Sequence, residues 1–221
     1  MKKFFAMIAL MLPMAVMAQE VKDTTAAVPA QINAIQLAME LSKYGYANND
    51  ALSLIQAARI SKQNGFTAEA RDKEGADEPR PAVPEGNKNG QISLDPAHLL
   101  ADAQAMANND GVLLAMINDV NNNVRGRVGG AAYHEDNVLA HSNDYYNITF
   151  RGGQSAYICV DGDGDTDLDL YVYDSNGNLV AYDDDYTDTC ICTWTPRRTQ
   201  TYRIKIVNRC NVYNHYVLTT N

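Results

Sequence analysis

Asp161-Gly162-Asp163-Gly164-Asp165-Thr166-Asp167-Leu168-Asp169-Leu170-Tyr171-Val172-Tyr173-Asp174 decides how the last third of this 221-residue chain is read. Asp161, Asp163, Asp165, Asp167 and Asp169 occupy every second position, running from a glycine-loosened loop into a strand. On a period-two backbone Leu168, Leu170 and Val172 face one side, a core, while Asp167, Asp169, Tyr171 and Tyr173 face the other. Such a row of carboxylates is a cradle for a hard cation. Calcium takes six to eight oxygen ligands, and Asp183, Asp184 and Asp185 could approach from a neighbouring strand end. As an EF-hand the loop fails, because Thr166 stands where the sharp-turn glycine belongs and Val172 where the bidentate Glu belongs. The competing reading is a set of solvated turn acids that keep a sheet edge from pairing with its neighbours.

Around this stretch, residues 144–221 alternate in hydrophobicity and break at regular turn signals. Strands are expected near 145–151, 155–160, 167–174, 178–183, 189–195, 200–208 and 212–219, with Ser175-Asn176-Gly177-Asn178 as a hairpin turn. Short strands without intervening helices indicate an antiparallel sandwich. Its expected core is Ile158, Val160, Leu168, Leu170, Ile204, Ile206 and Trp194.

Upstream the period changes. Ile32, Ile35, Ala38, Met39 and Leu41 fall at helical intervals over 31–46, as do Leu52, Ile55, Ala58 and Ile60 over 50–62. A second pair of helices opens at Asp95-Pro96, an N-cap followed by a residue suited to the first turn. Its buried stripe is expected to hold Leu99, Leu100, Ala103, Met106, Leu113, Met116, Ile117 and Val120. Ala47-Asn48-Asn49-Asp50 and Ala107-Asn108-Asn109-Asp110 look like a faint repeat in which an Asp caps each second helix, although Asn and Asp favour any helix start. The fold class is thus α+β: short N-terminal helical hairpins followed by an antiparallel, jelly-roll-like β-sandwich. The expected boundaries are a signal peptide 1–18, a first hairpin 19–66, a flexible linker 67–92, a second hairpin 93–121, a linker 122–133 and the sandwich 134–221.

Lys2 and Lys3 precede an apolar run from Phe4 to Val16, and Val16-Met17-Ala18 supplies small residues before Gln19. That is a secretory signal rather than a membrane span, because the run is too short. It places the protein outside the cytoplasm, secreted or periplasmic. Its removal takes away two lysines and no acids, so the formal charge moves from −9 to −11, which argues against a nucleic-acid partner. In an oxidising compartment Cys159, Cys190, Cys192 and Cys210 are expected to form one or two disulfides. Cys190 and Cys192 share a strand face too closely to bridge each other, which makes Cys159 and Cys210 their expected partners.

The run Gly164 to Asp174, then Tyr182-Asp183-Asp184-Asp185, Cys192-Thr193-Trp194-Thr195-Pro196, Thr201-Tyr202-Arg203-Ile204-Lys205-Ile206 and Tyr216-Val217-Leu218, resembles the bacterial pre-peptidase C-terminal domain. The resemblance covers roughly residues 134–221. It implies a jelly-roll sandwich of the kind appended to secreted peptidases, some relatives of which bind calcium and some collagen or polysaccharide. Residues 19–133 depart from that context, being too short and too helical for a peptidase.

Catalytic signatures are sparse. No Gly-x-Ser-x-Gly elbow occurs, and His134-Glu135 begins like a zincin helix but has Val138 where the second His belongs. Ten tyrosines follow residue 144, and Tyr171, Tyr173 and Tyr182 are candidates for a flat binding surface. The reading is a secreted, non-catalytic protein whose sandwich binds a protein or polysaccharide, with calcium as an expected support. The alternatives are a small secreted hydrolase using sandwich carboxylates or His134, and an accessory or inhibitory factor for a separate peptidase.

Overall fold

The computed structural model describes residues 30–74, 91–124 and 129–221; the expected signal segment lies outside them. Two helical hairpins form where the apolar period places them: α1 Ala30–Asn48 with α2 Ala51–Asn64, and α3 Pro96–Met106 with α4 Gly111–Asn123. Both Ala-Asn-Asn-Asp turns do the same work. Asp50 accepts the Leu52 amide and Asp110 those of Val112 and Leu113, while Asn49, Asn108 and Asn109 take the positive φ needed to reverse the chain. Asp95 caps α3 as expected, with Pro96 in its first turn. One expected core residue is misplaced: Leu52 is 43% exposed, and Leu54 is buried instead. The hairpins meet through Leu54, Ile55, Ala58, Leu99, Leu100, Ala103, Ile117 and Val120.

The C-terminal part is a sandwich of two sheets. In one, β1 Thr67–Ala68, β2 Ala132–Val138, β9 Asn214–Thr220, β4 Ala156–Gly162 and β7 Thr189–Trp194 lie in the order β1-β2-β9-β4-β7. In the other, β3 Ser142–Phe150, β8 Gln200–Asn208, β5 Leu168–Tyr173 and β6 Leu179–Asp183 lie in the order β3-β8-β5-β6. Every pair is antiparallel except β1 with β2. The expected core residues Ile158, Val160, Leu168, Leu170, Ile204 and Ile206 lie fully buried between the sheets. Trp194 closes one end edge-on against Phe150 and Tyr202, with ring centroids 4.8 and 5.2 Å away.

The five-stranded sheet is apolar on both faces. β4 is buried along its whole length: Ala156, Ile158 and Val160 point into the sandwich, Tyr157 and Cys159 away from it. The second face is closed by α1, whose Ile32, Ile35, Ala38 and Met39 pack on Tyr133, Tyr157, Cys159 and Val217. The helices and the sandwich therefore share a core cluster, and the molecule has three layers: helices, five-stranded sheet, four-stranded sheet.

The stretch expected as a linker over 67–92 is docked at both described ends. Phe66, Ile92 and Leu94 are buried in the helix–sheet core. Thr67 and Ala68 pair with Ala132 and Tyr133, and the Glu74 amide donates to the Tyr145 carbonyl along the free edge of β3. Residues 75–90 lie outside the described part. Of the expected linker 122–133, Ala132 and Tyr133 begin β2, a strand that the period of two did not reveal because His134, Glu135 and Asp136 interrupt its alternation.

The disulfide expectation is corrected: no bridge joins any of the four cysteines. Cys159 faces the helices, whereas Cys190 and Cys192 on the adjacent strand face the sandwich interior, so the sheet itself stands between them. Burial pushes the Cys159 and Cys190 thiols well above the ordinary thiol range.

If the helix–sheet core is one cooperative unit, Ile35→Ala weakens the whole molecule by about 2–5 kcal/mol. Thermal melts followed by helical circular dichroism and by Trp194 fluorescence then shift together; two separated transitions would contradict the shared core.

Candidate functional site

The acidic row is gathered along the chain but not around a point. Asp161, 1% exposed, accepts from Lys43 Nζ of α1 at 2.7 Å and from Thr189 Oγ1 at 2.7 Å. The same ammonium lies 3.5 Å from Asp188, which in turn accepts the Gly164 amide. Burial works to lower the Lys43 pKa, but Asp161 and Asp188 outweigh it and hold it above its ordinary value. Asp161 itself is pushed up to about 6, because desolvation of its carboxylate exceeds what Lys43 and Thr189 return. Asp163, also pushed up to about 6 by burial, accepts the His215 and Asp165 amides.

The other acids go elsewhere. Asp169 is bound by Arg209 Nε at 2.6 Å, and Asp183 accepts the Ile191 amide at 2.9 Å. Asp167 lies on the outer side of its strand start, and burial with Asp169 nearby raises its pKa. Asp165 is half-buried, and Asp184 and Asp185 are exposed, with Asp185 folded back on Thr187. Among the described residues no three His, Cys, Asp or Glu side chains converge as a metal site. The eight carboxylates as they stand do not fit one calcium ion, since the best buried of them already hold an ammonium, a guanidinium or backbone amides.

A second charged cluster escaped the sequence reading. Lys73 reaches Asp144 at 2.9 Å and Asp136 at 3.1 Å, and donates to the Asn137 carbonyl. Tyr216 donates to Asp144 at 2.8 Å, and the Tyr146 hydroxyl is hydrogen-bonded to that of Tyr216 and lies 3.1 Å from Asp136. Burial raises the Asp144 pKa against the pull of Lys73 and Tyr216. His134, proposed above for a hydrolytic role, sits beside this cluster with its ring edge on Tyr146, 5.6 Å between centroids. Its Nε2 is buried without a hydrogen bond, 3.6 Å from Asp136. One signal was legible: Asp144 shares the inward parity of Tyr146, Ile148 and Phe150, and a buried acid needs a cation.

The outer face of the four-stranded sheet is different in kind. Register places Tyr145, Lys205, Tyr171 and Tyr182 side by side across β3, β8, β5 and β6. Next to that row lie Asn147, Arg203 and Tyr173. Tyr171 and Tyr182 stack with planes 13° apart, and Arg203 and Lys205 stand 4.2 and 5.7 Å from the Tyr145 ring centre. Arg209 donates to both Asp169 and the Tyr171 hydroxyl, propping that ring. An open depression of about 540 Å³ is lined by His141, Asn143, Tyr171, Tyr173, Lys205 and Arg209 with Val207 and Asn208. All three tyrosines expected on a binding surface are therefore on one face. Tyr145 joins them, whereas Tyr146 turns inward. No described element covers this face.

No family model matches the chain, and no curated protein does. Solved structures similar to part of it include the pre-peptidase C-terminal domain of a collagenase from Bacillus anthracis, at 13% identity over 40% of this chain and 87% of that one, with a TM-score of 0.36. That domain is of the family that residues 134–221 resemble. A periplasmic inhibitor of g-type lysozyme from Aeromonas hydrophila matches at 10% identity, covering 41% of this chain and 84% of that one, TM-score 0.33. The CBM22-1-GH10 modules of an endo-1,4-beta-D-xylanase from Clostridium thermocellum match at 10% identity over 39% of this chain and 24% of that one, TM-score 0.23.

Two outcomes test the acidic rim. A chelator leaves the melting temperature unchanged, and a drop on adding it would reveal an ion that these residues hold. The raised Asp161 and Asp163 carboxyls keep protons in the folded chain that the unfolded chain has released, so their contribution to stability is full below about pH 4 and is lost as pH rises through about 6. Calorimetry across that window shows a flatter pH dependence for Asp163→Asn than for the parent; an unchanged slope would refute the raised carboxyl.

Proposed function

We propose that this protein is an exported, non-catalytic binding module whose ligand, a polysaccharide or a protein, lies across the outer face of the four-stranded sheet. The observation that carries the reading is the transverse row Tyr145, Lys205, Tyr171 and Tyr182 on the sheet face that no described element covers. Three rings spread over four adjacent strands offer a shallow platform about 14 Å across, on which sugar rings or extended backbone can stack. Asn143 and Asn147 flank the rings with hydrogen-bonding groups. Export rests on Lys2, Lys3 and the apolar run behind them.

A hydrolase is less well supported. The buried carboxylates are engaged by Lys43, Lys73, Arg209 or backbone amides, and the depression beside the tyrosines has no carboxylate in its lining. A general acid or base needs a titratable group within reach of substrate.

The full chain is screened on glycan and protein arrays, followed by calorimetric titration of the hits. Tyr145→Ala and Tyr171→Ala each weaken binding by about 1–2 kcal/mol, roughly tenfold, with circular dichroism unchanged. A hit whose affinity ignores both substitutions would place the ligand elsewhere.

A further inference from the structure

Resting on that reading, we infer that the face takes an anionic polysaccharide, one bearing carboxylate or sulfate groups, with Lys205 and Arg203 as the charge-reading residues. The chain carries 27 acids against 18 lysines and arginines, yet the lining of the depression beside Tyr171 holds Lys205, Arg209 and His141 and no acid. Several cations elsewhere in the fold are paired with acids: Lys43 with Asp161 and Asp188, Lys73 with Asp136 and Asp144, Arg59 with Asp119, Arg71 with Glu69. Arg209 is likewise held by Asp169. Lys205 and Arg203 differ. Neither forms a salt bridge among the described residues, which holds also for Lys62, Arg151, Arg197 and Arg198, but these two alone of the described cations lie over an aromatic ring, that of Tyr145. In a strongly acidic protein, two cations left without carboxylates beside half-buried aromatics are placed for a charge that arrives with the ligand.

Their spacing suits a polymer. Lys205 and Arg203 are two residues apart on β8 and point to the same side, which sets their attachment points about 7 Å apart along the strand. Tyr145 on one side, Tyr171 and Tyr173 on the other, flank both. A chain of sugar rings can stack on the tyrosines while its acidic groups meet the cations. Glu74, at the β3 edge, is hydrogen-bonded to Asn147. An acidic peptide is the weaker fit, because extended peptides usually add to a sheet edge, and the β3 edge beside Tyr145 is taken by the Glu74 amide.

The test uses the full chain and four probes: polygalacturonate for carboxylates, heparin for sulfates, laminarin as a neutral glycan and poly-glutamate as an acidic peptide. Titration is run at about 0.01 M and about 1 M salt. The inference expects one or both anionic glycans to bind, to weaken at least about tenfold at high salt, and to weaken about tenfold in Arg203→Gln plus Lys205→Gln. It also expects laminarin not to bind. Laminarin binding that is insensitive to salt and to the double substitution would overturn the anionic class while leaving the tyrosine platform standing. Preferential binding of poly-glutamate would overturn the glycan assignment. Binding of none of the four, with the arrays also blank, would overturn the platform itself.

Discussion

The burial of β4 on both faces is the constraint from which the rest of the architecture follows. A strand reading Ala156-Tyr157-Ile158-Cys159-Val160 cannot leave either side in water, so its sheet needs a partner on each. The four-stranded sheet supplies one through Ile204, Leu170 and their neighbours; α1 supplies the other through Ile32, Ile35, Ala38 and Met39. Ile32, Ile35 and Met39 each contribute about 1.5–3 kcal/mol on burial, and they could not do so if the helices and the sandwich were apart. Once three layers are stacked in this order, the outer face of the four-stranded sheet is left with no described element over it.

The acids follow the same logic of enclosure. Folding buries Asp161, Asp144 and Asp169, and a buried carboxylate without a counter-charge is costly. Each is met by a cation from a distant part of the chain: Lys43 from α1, Lys73 from the segment after β1, Arg209 from the loop after β8. The Lys43 bridge fastens the helical layer to the rim of the sandwich. The Lys73 cluster, with Tyr146 and Tyr216 between its two acids, fastens the edge where β2 and β3 turn from one sheet to the other. Asp161, which begins the apparent metal cradle in sequence, thereby becomes a point of attachment between layers. The hydrogen-bonded amides at Asp163 and Asp183 serve the loops in the same way.

Seen from outside, the protein is acidic with one aromatic and cationic sheet face. Tyr145 between Lys205 and Arg203, and Tyr171 stacked on Tyr182 and propped by Arg209, hold their rings in place before any ligand arrives. Prior fixing of side chains lowers the conformational entropy lost on binding.

By itself the sequence determined what depends on neighbours a few residues apart. The helical hairpins with Asp50, Asp95 and Asp110 at their starts, the alternating strands, the inward leucines of β5 and the shared side of Tyr171 and Tyr173 all follow from periods of 3.6 and 2. Tertiary structure alone decided what covers each face and which charge answers which. It put α1 over Cys159, set the sheet between Cys159 and Cys190, joined Lys43 to Asp161 across 118 residues, and placed Tyr145 beside Lys205. The apolar run around Cys159 was the one local hint of a second covered face, and it could not say which element would do the covering. Periodicity fixes the direction of a side chain relative to its own strand or helix; the identity of the opposing surface is set by packing between segments whose separation along the chain leaves no trace in local pattern.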